Sequence, residues 1–324
     1  MGPEGSNEAE KNALLASVSR SFYLTIRALP KRLRHPIRTA YLLARATDTI
    51  ADTPQVAVDE RLKHLLAVKS CASQDSDRSK LVQTGIAFGP LQTNSAEKIL
   101  IAGLPEIFAD FDQLEEADRK DVMTVLDLIV RGQEKDLTAF RHVRALLDEK
   151  ALDEYTYLVA GCVGEFWTQV CSRKLRCFSR EPVDQMLSWG RHFGQGLQLV
   201  NILRDVRADW ENGRCYLPLG TAALDSQDAA LIYRRWLQRA ALLLAEGWSY
   251  VLALKNLRLR FACALPILIG IRTLNLLTRQ NALISRERVK VDRDEIKKIM
   301  VQTLLRAGSN RCLDRYRAKL AQTP

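Results

Sequence analysis

The sequence predicts an all-α fold, and three observations predict it. Apolar residues recur at i, i+3, i+4 and i+7 through most of the chain, the spacing that gives a helix one greasy face. Alternating apolar and polar runs closed by Asn-Gly or Asp-Gly turns do not occur, and no strand-helix-strand order appears. Hydrophobic residues make up 47% of the 324 positions, ample for a packed core.

In chain order, the opening "MGPEGSN" is polar and Gly/Ser-rich, so residues 1–10 read as a disordered leader and 11–324 as one helical domain. Helical periodicity then runs over roughly 8–28, 32–52, 57–72, 95–112, 117–140, 147–175, 181–209, 227–255, 258–280 and 292–320. The stretch from Cys71 to Ser95 is rich in Ser, Gly, Gln and Asp and reads as the one long loop, a surface excursion within the domain. "FACALPILIGI", Phe261 to Ile271, is the longest apolar run. It lies between Arg260 and Arg272 and falls short of the ~20 residues of a membrane span, so it reads as a core helix.

Two helices carry an anomaly. In "YLLARATDTIAD", Tyr41, Arg45, Asp48 and Asp52 fall within a sector of about 60° at helical spacing, while Leu42, Leu43, Ala46 and Ile50 cover the remaining surface. In "QLVNILRDVRAD", Gln198, Asn201, Asp205 and Asp209 fall within about 80°, with Leu199, Val200, Ile202, Leu203 and Val206 elsewhere. Each helix therefore presents two carboxylates one turn apart in surroundings too apolar to leave charge unanswered. A divalent cation answers it: Mg²⁺ takes hard oxygen ligands, typically one or two carboxylates plus substrate phosphates. The alternative is a buried ion-pair network in which Arg45 and Arg204 or Arg207 neutralise the aspartates.

Composition narrows the partners. The chain has 48 Lys+Arg against 38 Asp+Glu, a net charge of +10, which suits anionic small molecules and leaves a peripheral membrane contact open. It shows no zinc-knuckle spacing, no aromatic and basic RNA-binding strand and no long basic run, so no nucleic-acid partner is expected. Seven cysteines, an odd number without a CxxC pair, point to a reducing, cytoplasmic compartment. His35, His64, His142 and His192 have no ligand spacing, and no GxGxxG follows a strand, so any nicotinamide site is not of the Rossmann type.

"DTIAD" and "NILRDVRAD", preceded by "SVSRSFYLTIRALP" and "YTYLVAGCVGEFW" and followed by "NGRCYLP", resemble the squalene/phytoene synthase family in order and spacing. The resemblance runs from about Ser17 to Pro218. It implies a single-domain isoprenoid-synthase-like helical bundle with a central cavity, in which two prenyl diphosphates are joined head to head with Mg²⁺-dependent loss of diphosphate. By the same resemblance, Asp48, Asp52, Asp205 and Asp209 hold Mg²⁺. Ser19, Arg20, Ser21, Arg45 and Arg204 meet diphosphate oxygens, Arg214, which follows the second aspartate motif, binds substrate, Gln198 and Asn201 line the metal side, and Tyr41, Tyr155 and Tyr216 sit near the leaving group or the cations. "SRSF" and "LLARATDTIAD" look closer to squalene synthases, and some dehydrosqualene-forming relatives carry histidine where this chain has Val18. That implies farnesyl diphosphate as substrate, presqualene diphosphate as intermediate and NADPH as hydride donor. The C-terminal membrane anchor of eukaryotic squalene synthases is not seen, so the resemblance points to a soluble, bacterial-type enzyme. Dehydrosqualene or phytoene formation, and a non-catalytic assembly role, are the alternatives. Gly161 and Gly164 permit close helix approach, and "GQEKDL" with Glu134 and Asp136 is left between a site segment and a solvated helix end.

Overall fold

Helices account for nearly all the regular structure in the computed structural model; among the described residues no strand forms, only two isolated bridges. The described residues are 13–18, 26–72, 77–140, 143–280, 282–283, 285 and 288–322. They gather in two compact units, residues 1–137 and 138–324.

In the first unit, α1 (Lys31–Ala51) is buried on most of its circumference, as its apolar composition predicts. Around it in sequence follow α2 (Val58–Ser70), α3 (Ser79–Phe88), α4 (Ser95–Ala102), α5 (Leu104–Asp112) and α6 (Glu116–Ala139). Leu33, Leu42, Leu43, Ile50, Leu65, Phe88, Phe108 and Phe111 form the core. Two expectations are corrected. The stretch read as a long loop contains α3, which buries Leu81, Thr84 and Phe88 at i, i+3 and i+7; a polar composition concealed a true helical period. The helix expected over 95–112 breaks at Gly103, where Pro105, in the first turn of α5, has no N–H to continue the α4 ladder.

The second unit holds α7 (Glu149–Thr156), a π-helical segment (Tyr157–Gly161), α8 (Cys162–Lys174), α9 (Val183–Glu211), α10 (Gln227–Ala253), α11 (Leu257–Arg279), α12 (Arg293–Arg306) and α13 (Asn310–Gln322). Side chains cap several starts: Asp148 accepts from Ala151 N, Ser226 from Ala229 N, and Asn256 from Arg258 N and Leu259 N. Helix α11 is long and apolar enough to cross a membrane by composition, yet 61% of its apolar window is buried in the unit, as a core helix requires. The helix expected over 292–320 is interrupted at Ala307–Ser309, where Ser309 Oγ accepts from Cys312 N and starts α13. Buried Arg260 ties this joint down, donating to Ala307 O at 2.9 Å.

The close approach of α8 to α9 rests on glycine. A Cβ on Gly164 would lie 1.8 Å from the carbonyl oxygen of Gly190, and one on Gly194 would lie 2.1 Å from that of Ala160. Backbone faces backbone here, as expected from Gly161 and Gly164.

Candidate functional site

Each unit carries one of the two acidic stripes. In the first, Tyr41, Arg45 and Asp48 are half-buried and Asp52 is exposed, all on the same face of α1. Gln133 of α6 donates from Nε2 to Asp48 Oδ1 at 2.6 Å and to Thr47 Oγ1 at 3.1 Å. Burial pushes the Asp48 carboxyl up to about 6; the Gln133 hydrogen bond opposes this, the neighbouring Asp52 charge adds to it and Arg45 opposes it. Arg45 turns its Nη2 to Glu97 Oε1 at 2.5 Å while its charge still acts on Asp48. Arg61 of α2 donates to Ala51 O at 2.6 Å, closing the C-terminal end of α1. Burial lowers its pKa, and the charges of Asp52 and Asp136 act in the other direction.

In the second unit, α9 is long because 183–211 contains no proline and its apolar residues repeat without interruption. Gln198 is half-buried and Asn201 exposed, and both share the face of Asp205 and Asp209, while Leu199, Val200, Ile202, Leu203 and Val206 are buried. Asp205 holds two guanidinium forks. Arg204 donates to its oxygens at 3.0 and 2.6 Å, and Arg288 at 2.6 and 2.7 Å. Burial alone would raise this carboxyl, but the hydrogen bonds and charges of Arg204 and Arg288 hold it below the ordinary range. Arg214 lies 3.4 Å from Asp209 Oδ1 and 6.0 Å from the centre of the Tyr216 ring. Tyr216 stacks on Tyr155 at 4.8 Å with the rings 22° apart. Arg207 pairs with Glu211 at 2.9 Å, away from the stripe.

The π-helical segment follows directly on Tyr155 and Thr156. Such segments carry one residue more per turn than the surrounding helix and are frequent at functional sites. Gln195 of α9 holds its start, donating to Asp153 O at 3.1 Å and Thr156 Oγ1 at 3.3 Å. Tyr157 is committed to packing: its hydroxyl donates to Glu165 Oε2 at 3.0 Å, and Arg191 lies 5.2 Å from its ring centre.

Of the expected site residues, the first unit brings together Tyr41, Arg45, Asp48 and Asp52; the second groups Gln198, Asn201, Arg204, Asp205, Asp209, Arg214, Tyr155 and Tyr216 into one stripe and its flank. Ser19, Arg20 and Ser21 lie outside the described residues. Gln133, Arg61 and Arg288 were not expected. The "GQEKDL" segment signalled Gln133 only as a neighbourhood. Among the described residues no group of three or more His, Cys, Asp and Glu is gathered to hold a metal, so any divalent ion would rest on carboxylate pairs completed by other ligands.

A family model described as squalene/phytoene synthase matches residues 15–295. The chain is 31% identical over 207 residues to a bifunctional lycopene cyclase/phytoene synthase of Blakeslea trispora, covering 63% of this chain and 31% of that protein. It is 30% identical over 220 residues to a presqualene diphosphate synthase of Zymomonas mobilis, covering 67% of this chain and 63% of that protein. The chain thus spans less than two thirds of either relative's length. Among solved structures, a ligand-bound squalene synthase superposes with a TM-score of 0.78 over 98% of this chain and 93% of that one, at 20% identity, which shows the fold.

Proposed function

Because the chain belongs to the squalene/phytoene synthase family, we propose that it joins two farnesyl diphosphates head to head, giving presqualene diphosphate and then squalene. The observation that carries the reading is the repeated aspartate pair. Two helices each present carboxylates one turn apart on a polar stripe, backed by buried Leu42, Leu43 and Ile50 on α1 and Leu199, Ile202, Leu203 and Val206 on α9.

The first pair suits Mg²⁺. Asp48 is pushed toward its proton by burial, so a hard cation beside it would relieve a charge that the fold disfavours. Asp205 and Asp209 offer the same donor chemistry, but Asp205 must yield an oxygen now held by Arg204 or Arg288. Bound Mg²⁺ would supply positive charge against the departing diphosphate. The chain's own part is to bind and orient. Arg45, Arg204 and Arg214 offer planar forks matched to diphosphate oxygens. The stacked Tyr155 and Tyr216 present aromatic surface to a carbocation. The buried apolar residues that flank the stripe on α9 withhold the water that would quench it. Joining two allylic diphosphates with loss of both leaving groups leaves a cation, which must lose a proton or accept a hydride. Squalene needs the hydride, and NADPH is the proposed donor; no residue of this chain is assigned to hold it.

The test is product analysis by mass after incubation with farnesyl or geranylgeranyl diphosphate and Mg²⁺, with and without NADPH. Farnesyl diphosphate should be consumed, presqualene diphosphate should accumulate without NADPH, and squalene should appear with it. Equal formation of dehydrosqualene or phytoene without NADPH would end the squalene reading and keep the head-to-head chemistry. Cyclised products of a single prenyl chain would end both.

A further inference from the structure

Helix α12 has two unlike faces. Ile299 and Thr303 are buried against the second unit, whereas Lys297, Lys298, Val301, Leu304 and Leu305 point outward within a sector of about 120°. Val301 is 49% exposed, Leu304 63% and Leu305 73%, so three neighbouring aliphatic side chains stand in solvent on one helix face. Single exposed leucines are ordinary; a cluster of them beside cations marks an interaction surface.

The charge around the cluster selects the partner. On α12 the exposed bases Arg293, Lys297 and Lys298 flank the cluster against one exposed acid, Asp294, which pairs with Lys297 at 2.8 Å. A second copy of the same surface would set these cations against one another. A neutral protein partner would leave them unanswered. We propose that the outer face of α12 docks on an anionic lipid bilayer, the leucines entering the headgroup boundary and Arg293, Lys297 and Lys298 meeting lipid phosphates. Apolar insertion combined with basic attraction is the pairing that interfacial helices use. The docking stands on this surface alone. Its purpose rests on the proposed function, since a hydrocarbon product has nowhere to go in water.

The experiment is co-sedimentation of the full chain with phosphatidylcholine vesicles with and without phosphatidylglycerol, at low and high salt. Binding should require phosphatidylglycerol and weaken with salt. Leu304→Ser/Leu305→Ser should weaken it about tenfold or more, by loss of buried apolar area, and Lys297→Glu/Lys298→Glu by a similar factor. These side chains are exposed, and a circular dichroism spectrum unchanged from the parent confirms that the variants fold. No turnover is involved, so a failed product assay leaves this result standing. The proposal is overturned by equal binding to both vesicle types, by variants that bind like the parent, or by a leucine variant that dissolves a dimer while still binding vesicles.

Discussion

Asp48 and Asp205 occupy equivalent places in the two stripes and are held in opposite ways. Asp48 has a folded-state pKa near 6, above its ordinary value of 3.8, so the fold favours its protonated form. The stability it contributes is complete below the ordinary value and is lost as pH rises through about 6. In EDTA at pH 8, Asp48→Asn should therefore be more stable than the parent, by up to about 3 kcal/mol, and the gap should close toward pH 4. Urea denaturation at both pH values measures it, and a less stable Asp48→Asn at pH 8 would contradict the burial account. Turnover of that variant should be lost. Asp205 is depressed, so its contribution is present above the ordinary carboxylate range and disappears as pH falls through the folded value. Asp205→Asn should lose turnover too, but at neutral pH it should also cost about 1 kcal/mol, because Arg204 and Arg288 lose the charge they share and both are partly exposed. The same denaturation series separates the two: one neutralisation stabilises, the other does not.

At the scale of elements, the contact of α8 with α9 is the least tolerant feature of the second unit. Gly164→Ala would drive a methyl into the Gly190 carbonyl, and neither backbone can yield without shifting its helix. A loss of about 3 kcal/mol or more is expected, the upper part of the range for overpacking. Gly308→Ala, whose added methyl meets nothing within 4 Å beyond its chain neighbours and which no proline follows, is the control and should stay near the parent. If Gly164→Ala melts with the parent, the two helices are less tightly apposed than described. The same contact holds the π-helical segment beside α9 through Gly194 and Gln195, so Gly194→Ala should disturb the Tyr155–Tyr216 stack as well as stability. Near-ultraviolet circular dichroism reads that stack directly.

For the whole molecule, metal should act as a ligand of the folded state. Mg²⁺ with inorganic diphosphate should raise the melting temperature in a concentration-dependent way, because anything that binds only the native form stabilises it by mass action. EDTA should reverse the gain and stop turnover, and Asp48→Asn should show little of it. A melting temperature indifferent to both additions would remove the metal reading. Arg45→Lys should lose activity while keeping stability, since an ammonium can still pair with Glu97 but cannot present a planar fork to diphosphate.

What the sequence determined by itself was whatever depends on local period: the helical class, the bounds of α1, α6, α9, α10 and α11 to within about two residues, and both acidic stripes. A spacing of four along a helix puts two carboxylates on one side whatever else the chain does. Tertiary structure decided how each carboxylate is answered. Gln133 lies 85 residues from Asp48 and Arg288 lies 83 from Asp205, the latter in an irregular stretch with no periodic signal. It also decided that 79–88 coils into a helix and that the helices expected over 95–112 and 292–320 break, where one proline and one Gly-Ser joint outweigh an otherwise continuous pattern. Period is written in neighbouring residues, whereas the charge on a buried oxygen depends on what distant segments bring to it, and no spacing within one helix records that.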